Sequence, residues 1–197
     1  YFPYSYKAKK KDILSPSENS IVIGSLGRLE EQKGYIYLLK AFNILKNEKY
    51  NVKLIIAGDG TLKHDLMELC VKLSFTTDEV KFLGKIDYPI AFLQSIDIFV
   101  LSSLWEGLPI SILEAMAIGI PSVASSVDGT KDVMTDGYDG VLVEAANPIA
   151  LATGIKRVMD DEQIRLVYSY NSRKTVLEKF QLSKRNDKLQ SLIRLFT

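Results

Sequence analysis

The run Ile21-Val22-Ile23-Gly24-Ser25-Leu26-Gly27-Arg28-Leu29-Glu30-Glu31-Gln32-Lys33-Gly34 decides how this chain folds. Its first six residues are apolar or small, rich in β-branched side chains and free of polar alternation. Such a run reads as a strand buried on both faces. Glycine and charge follow at once. Then Tyr35, Leu38, Leu39, Phe42 and Leu45 recur at helical spacing, and the pattern closes in Lys46-Asn47-Glu48-Lys49, so residues 35–48 read as an amphipathic helix. Val52 to Ala57 is a second short apolar strand, closed by Gly58-Asp59-Gly60. Strand, helix and buried strand in this order specify parallel pairing through a right-handed crossover.

The alternation continues outward. A helix is expected over 61–73 with Thr61 as its N-cap, a strand over Val80–Leu83 ending at Gly84, and a short helix over Pro89–Gln94. Asp97–Leu101 reads as a strand, Pro109–Ile118 as a helix ended by Gly119, and Ser122–Ala124 and Gly140–Val143 as two more strands. Helices over 147–159, 161–179 and 183–196 complete the pattern. The fold class is α/β: a doubly wound, Rossmann-like parallel sheet with helices on both faces. Residues 1–20, interrupted by Ser15-Pro16-Ser17, read as a linker, and 21–197 as one domain with a proper core.

Composition narrows the function. Hydrophobic residues make up 47% and charged residues 25%, as in soluble globular proteins. The formal net charge of +1 lacks the basic excess of nucleic-acid binders. The cluster Lys7, Lys9, Lys10 and Lys11 reads as part of a solvated linker. A single cysteine, Cys70, lies among Leu69, Val71 and Leu73, and a buried, reduced thiol suits the cytosol. The polar, basic start is no signal peptide. No run approaches the roughly 18 apolar residues of a membrane helix. The first residue is Tyr rather than Met, which fits a fragment of a longer chain.

In doubly wound sheets, ligands bind outside the carboxyl ends of the strands. The glycines concentrate in just those loops. Within Gly27–Gly34, Arg28 and Lys33 stand across a turn from each other. One offers a planar fork for phosphate oxygens and the other a point charge, beside the positive end of a helix. In Ser102-Ser103-Leu104-Trp105-Glu106-Gly107-Leu108-Pro109-Ile110-Ser111, the amides from Leu108 to Ser111, Pro109 excepted, form an anion site at a helix start. Glu106 precedes that helix and Glu114 lies inside it. Two such carboxylates accept hydrogen bonds from sugar hydroxyls or act as general acid and base; they could instead be an ordinary loop residue and a helix-face charge. His64, on a helix away from the strand ends, reads as a surface residue.

These segments occur in a recognisable order. Gly27-Arg28-Leu29 with Lys33-Gly34, Gly58-Asp59-Gly60, Phe82-Leu83-Gly84, Asp97 to Ser103, Glu106-Gly107-Leu108-Pro109 running to Glu114-Ala115-Met116-Ala117, and Gly119-Ile120-Pro121-Ser122-Val123 resemble the signature of GT-B glycosyltransferase family 4, the group 1 type. Glu106 and Glu114, with seven residues between them, match that family's E-x7-E motif. Val127-Asp128-Gly129 and Asp136-Gly137 to Val143 match as well, so the resemblance covers roughly residues 21–160.

The resemblance implies a C-terminal donor domain of a retaining enzyme that takes a UDP- or GDP-linked sugar and needs no catalytic metal or other cofactor; no Asp-x-Asp is present. By it, Arg28 and Lys33 hold the diphosphate, Glu106 contacts the transferred sugar and Glu114 the ribose. Amides near Leu108, Ile110 and Ser111 add to the phosphate site, while loops at Gly27, Gly58, Gly84, Lys85 and Ile86 border the nucleotide. It further implies a cytoplasmic enzyme, partnered by its own N-terminal acceptor domain, working at the inner membrane face on a glycan or lipid-linked acceptor. The isolated chain is expected to bind donor without transferring sugar. One departure stands out: Lys131 sits where the family carries a carboxylate, with Asp132 one position on.

Rival readings are weaker. Gly58-Asp59-Gly60-Thr61-Leu62-Lys63 lacks the third glycine of a dinucleotide site, and there is no G-x-x-x-x-G-K-[ST] loop. A free-standing or degenerate nucleotide-sugar-binding module, or a GT-B-fold epimerase or phosphorylase, is the alternative. The stripe Leu182, Leu189, Leu192, Ile193 and Phe196, ringed by Lys184, Arg185, Lys188 and Arg194, reads as packing on its own domain or on the absent half, with membrane-surface binding as the sharper idea.

Overall fold

The computed structural model describes residues 20–180. The linker with its basic cluster and the C-terminal stripe therefore lie outside the described residues.

Six strands form one all-parallel sheet: β1 (Ile21–Leu26), β2 (Val52–Ala57), β3 (Val80–Gly84), β4 (Ile98–Leu101), β5 (Ser122–Ser125) and β6 (Val141–Val143), in the order β3-β2-β1-β4-β5-β6. Between them run α1 (Tyr35–Asn47), α2 (Lys63–Lys72), α3 (Pro89–Leu93), α4 (Ile110–Ala117) and α5 (Asp128–Lys131), and after β6 come α6 (Pro148–Asp160) and α7 (Glu162–Lys179). This is the doubly wound arrangement expected.

The missing polar alternation explains it. Successive strand residues point to opposite faces, and here both faces are buried. Ile23, Leu54, Ile56 and Val100 pack with Leu38, Leu39 and Phe42 of α1 and with Leu151 and Ile155 of α6. On the other face, Val22, Ile55 and Phe99 pack with Phe92 of α3 and with Ile112 and Met116 of α4. Phe42 is fully buried and meets Phe75 edge-on at 5.3 Å; burying such a ring contributes about 2–3 kcal/mol. β1 lies at the centre, paired with β2 from Ile21 to Leu26 on one side and with β4 at Ile23 and Gly24 on the other.

Several boundaries differ from expectation, each for a physical reason. Thr61 does not cap α2. Its amide and hydroxyl both donate to the Glu30 carboxylate, at 3.0 and 2.7 Å, and Leu62 occupies the cap position without a side-chain bond. Pro109 is the N-cap of α4 rather than its first residue, with an extended backbone. The four-residue helix α5 was not foreseen, because Asp128-Gly129-Thr130-Lys131 carries no apolar periodicity. Cys70 is buried as expected, and burial pushes its thiol up to about 11. His64 is exposed on α2.

Candidate functional site

The strand order reverses between β1 and β4, since β1 leads outward to β2 and β3 while β4 leads outward to β5 and β6. The connections leaving these two strands depart over opposite faces and open a crevice between their loops. The loop after β1 and the loop after β4 are joined there. Leu104 N donates to Gln32 O at 2.7 Å, and Gln32 Nε2 donates to Trp105 O at 3.0 Å.

Between those ties lies an ion pair. Lys33 Nζ meets Glu106 Oε1 at 2.5 Å, with the side chains only 15% and 5% exposed. Ser103 Oγ donates to the same Oε1 at 2.6 Å, and Ser102 Oγ donates to the Lys33 carbonyl at 2.9 Å. Behind Lys33, Tyr35 is buried and its hydroxyl donates to Gly27 O at 3.2 Å. Burial holds that phenol far above the usual tyrosine range.

Arg28 occupies the same loop but is exposed, and its charge acts on Glu30. Glu30 is held below the usual carboxylate range, first by the Thr61 amide, then by the Thr61 hydroxyl, with Arg28 adding to it. Through this contact and through Leu29 N to Asp59 O at 2.9 Å, the loop after β1 is fastened to the loop after β2.

Gly27, Gly58 and Gly84 end or follow three adjacent strands. Gly58 N donates to Gly84 O at 2.8 Å, and Gly58 has φ +140°; a Cβ there would stand 1.9 Å from Gly27 O. Only glycine fits such a backbone approach. Lys85 is exposed beyond β3, and Ile86 packs against the second core.

The start of α4 faces the crevice from the β4 side. Pro109 has no side chain that can cap, and α4 carries no side-chain cap bond. Leu108 and Ile110 are 52% and 56% exposed and Ser111 half-buried. Glu114, in the second turn, is half-buried, and burial raises its carboxyl above the usual range. Uncapped amides at a helix start attract an anion.

The structure thus brings Lys33 and Glu106 into contact and lines up the three glycines, while Arg28 is exposed on the loop after β1 and Glu114 is half-buried on α4. Two features were not singled out from sequence. The serines Ser102 and Ser103 hold the pair in place. The loop after β5 closes on it, for a Cβ on Gly129 would lie 1.9 Å from Gly107 O and 2.7 Å from Glu106 O. The glycine in Val127-Asp128-Gly129 was the available signal. At the position of departure, Lys131 pairs with Asp128 at 3.0 Å, and Asp132 is exposed. Among the described residues no helix is long and apolar enough to cross a membrane.

Comparison with known proteins gives the same direction. The family model for glycosyl transferases group 1 matches residues 7–175. The chain is 34% identical, over 93% of its length and 48% of the relative's, to the UDP-Gal:alpha-D-GlcNAc-diphosphoundecaprenol alpha-1,3-galactosyltransferase of Escherichia coli. It is 34% identical, over 77% of its length and 42% of the relative's, to a Campylobacter jejuni alpha-1,4-N-acetyl-D-galactosaminyltransferase acting on GalNAc-alpha-(1->4)-GalNAc-alpha-(1->3)-diNAcBac-PP-undecaprenol. Among solved structures, Anabaena HepE in complex with UDP and glucose superposes with TM-score 0.82 at 24% identity, covering 89% of this chain and 48% of HepE. The C-terminal domain of a group 1 family glycosyl transferase, LpcC, from Francisella tularensis superposes with TM-score 0.74 at 23% identity, covering 82% of this chain and 87% of that one. The chain spans about half the length of the curated relatives it matches. With these matches and this crevice, the chain belongs to the glycosyl transferases group 1 family.

Proposed function

We propose that this chain is the donor-binding, C-terminal domain of a retaining family 4 glycosyltransferase, spanning residues 21–197, which takes a UDP-linked sugar for transfer to a lipid-linked glycan. One observation carries the reading: a nearly buried lysine and glutamate meet at the switch point of the sheet, beside the uncapped start of α4. A nucleoside diphosphate needs cations and open amides, and a sugar needs a carboxylate acceptor. Both are within one crevice.

In this reading Lys33 and Arg28 bind the diphosphate, joined by amides at Leu108, Ile110 and Ser111. Glu106 accepts from a hydroxyl of the transferred sugar and Glu114 from the ribose. Gly27, Gly58, Gly84, Lys85 and Ile86 border the nucleoside. As the glycosidic bond breaks, negative charge grows on the departing diphosphate. Fixed cations and helix amides stabilise that charge without having to reorganise. Half the relatives' length lies outside this chain, and an N-terminal domain would hold the acceptor there. The undecaprenol-linked acceptors in the relatives' names favour a cytoplasmic enzyme at the membrane face.

Calorimetric titration of the chain with UDP, GDP and ADP, repeated on Lys33→Ala, tests this. UDP binding that the variant loses is the expected result. Wild-type binding of none of the three, or equal binding by the variant, would sink the reading.

A further inference from the structure

Three other buried serines spend their hydroxyls on nearby backbone carbonyls. Ser95 donates to Phe92 O, Ser122 to Ile120 O and Ser172 to Ser169 O, each within three residues. Ser102 and Ser103 bond instead to the two residues of the ion pair, Ser102 across 69 residues and Ser103 across three. They are 2% and 0% exposed, so their hydroxyls must be bonded to avoid a desolvation cost. Ser102 reaches the carbonyl of Lys33, 69 residues away, and Ser103 reaches a carboxylate oxygen of Glu106. That oxygen is the one Lys33 Nζ also holds. One serine fixes the backbone of the cation and its neighbour fixes the side chain of the anion.

We propose that Ser102 and Ser103 are positioning residues of the donor site, with separable effects. Ser102 anchors the turn that aims Lys33 at the diphosphate. Ser103 holds Glu106 in the orientation that meets the sugar, and keeps it as the counter-ion of Lys33 until phosphate arrives. The inference rests on the donor-site reading above.

The test is calorimetry on the 197-residue chain with UDP and with UDP-galactose, comparing wild type, Ser102→Ala and Ser103→Ala, with melting curves alongside. Ser103→Ala removes a hydrogen bond to a charged group and should lower the ratio of UDP-galactose to UDP affinity about tenfold, with UDP itself nearly unchanged. Ser102→Ala removes a neutral bond and should weaken both ligands alike, by about fivefold. Where Ser103→Ala fails to fold, Ser103→Cys keeps the volume but offers only a weak donor, and it must lower the same ratio. Ser103→Thr, which retains the hydroxyl, should restore it. If both alanine variants depress both ligands in one common proportion, the serines are merely structural and the proposal falls. It falls too if neither variant moves either ligand while Lys33→Ala abolishes binding. Wild-type chain that binds no UDP would instead overturn the donor-site reading itself, and this inference with it.

Discussion

Two helices, α4 and α6, begin at the same edge of the sheet, each beside a proline, and they begin differently. At α6 the cap is Asn147, whose side chain accepts from Ile149 N and Ala150 N at 3.1 and 3.0 Å and donates to Glu144 at 2.7 Å, with Pro148 in the first turn. At α4 the cap position holds Pro109, which offers no side-chain acceptor. The first helix satisfies its own amides and is built for stability. The second leaves them open beside Lys33 and Glu106. The ion pairs contrast in the same way. Lys156 and Glu48 tie α6 to α1 at the surface with 26% and 43% exposure, whereas Lys33 and Glu106 are 15% and 5% exposed in the crevice.

The sharpest way to break this comparison is to remove one lysine from each pair. Lys33→Ala should reduce UDP affinity by about a hundredfold, the scale of a charge-assisted phosphate contact in a water-poor site. Lys156→Ala should leave UDP affinity alone and cost at most about 1 kcal/mol in urea unfolding. Equal loss of UDP from both variants would erase the distinction. Next, Pro109→Asn gives α4 the cap that α6 has. It should weaken UDP several-fold by calorimetry without lowering the melting temperature, because the amides are then already taken.

Asn147→Ala tests the other side of the contrast. It should cost about 1 kcal/mol of stability, roughly 2–4 °C in melting temperature, and leave UDP binding intact. The smallest effect concerns Glu114. Its folded carboxyl titrates above the unfolded one because burial opposes the charge. The folded state therefore holds its proton more tightly, and stability from this group falls as pH rises from the unfolded value of about 4.5 through the raised folded one. Glu114→Gln lacks that loss, so its melting temperature should gain on wild type between pH 4 and pH 7. A constant difference across that range would contradict the sign.

The fold was legible because its signals are local. Ile21–Leu26, Val52–Ala57 and their helices show their periodicities within a few residues, and the strand-end glycines mark the crevice. Lys33 and Glu106 were legible as types at loop positions. Their contact was not, for it joins residues 73 apart and depends on β4 docking beside β1. The mistaken cap at Thr61 has the same origin. Its hydroxyl is claimed by Glu30, 31 residues earlier, and no local rule for helix starts can see that competitor. Ser102 and Ser103 stand in the signature stretch without a role of their own there; the Ser102 hydroxyl finds its partner 69 residues away, beyond any local rule.

The pairing of β1 with β4 also predicts an order of events in folding. α1, β2, α2, β3 and α3 all lie between them in the chain, so their union closes a long loop, and such closures are expected late and slowly. A nascent chain that has emerged only as far as β3 holds β1 as an exposed edge, with Lys33 present and its glutamate not yet made. The crevice is therefore expected among the last things this polypeptide acquires, and any agent that traps β1 before β4 arrives would leave β1, β2 and β3 paired while denying the molecule the Lys33–Glu106 contact.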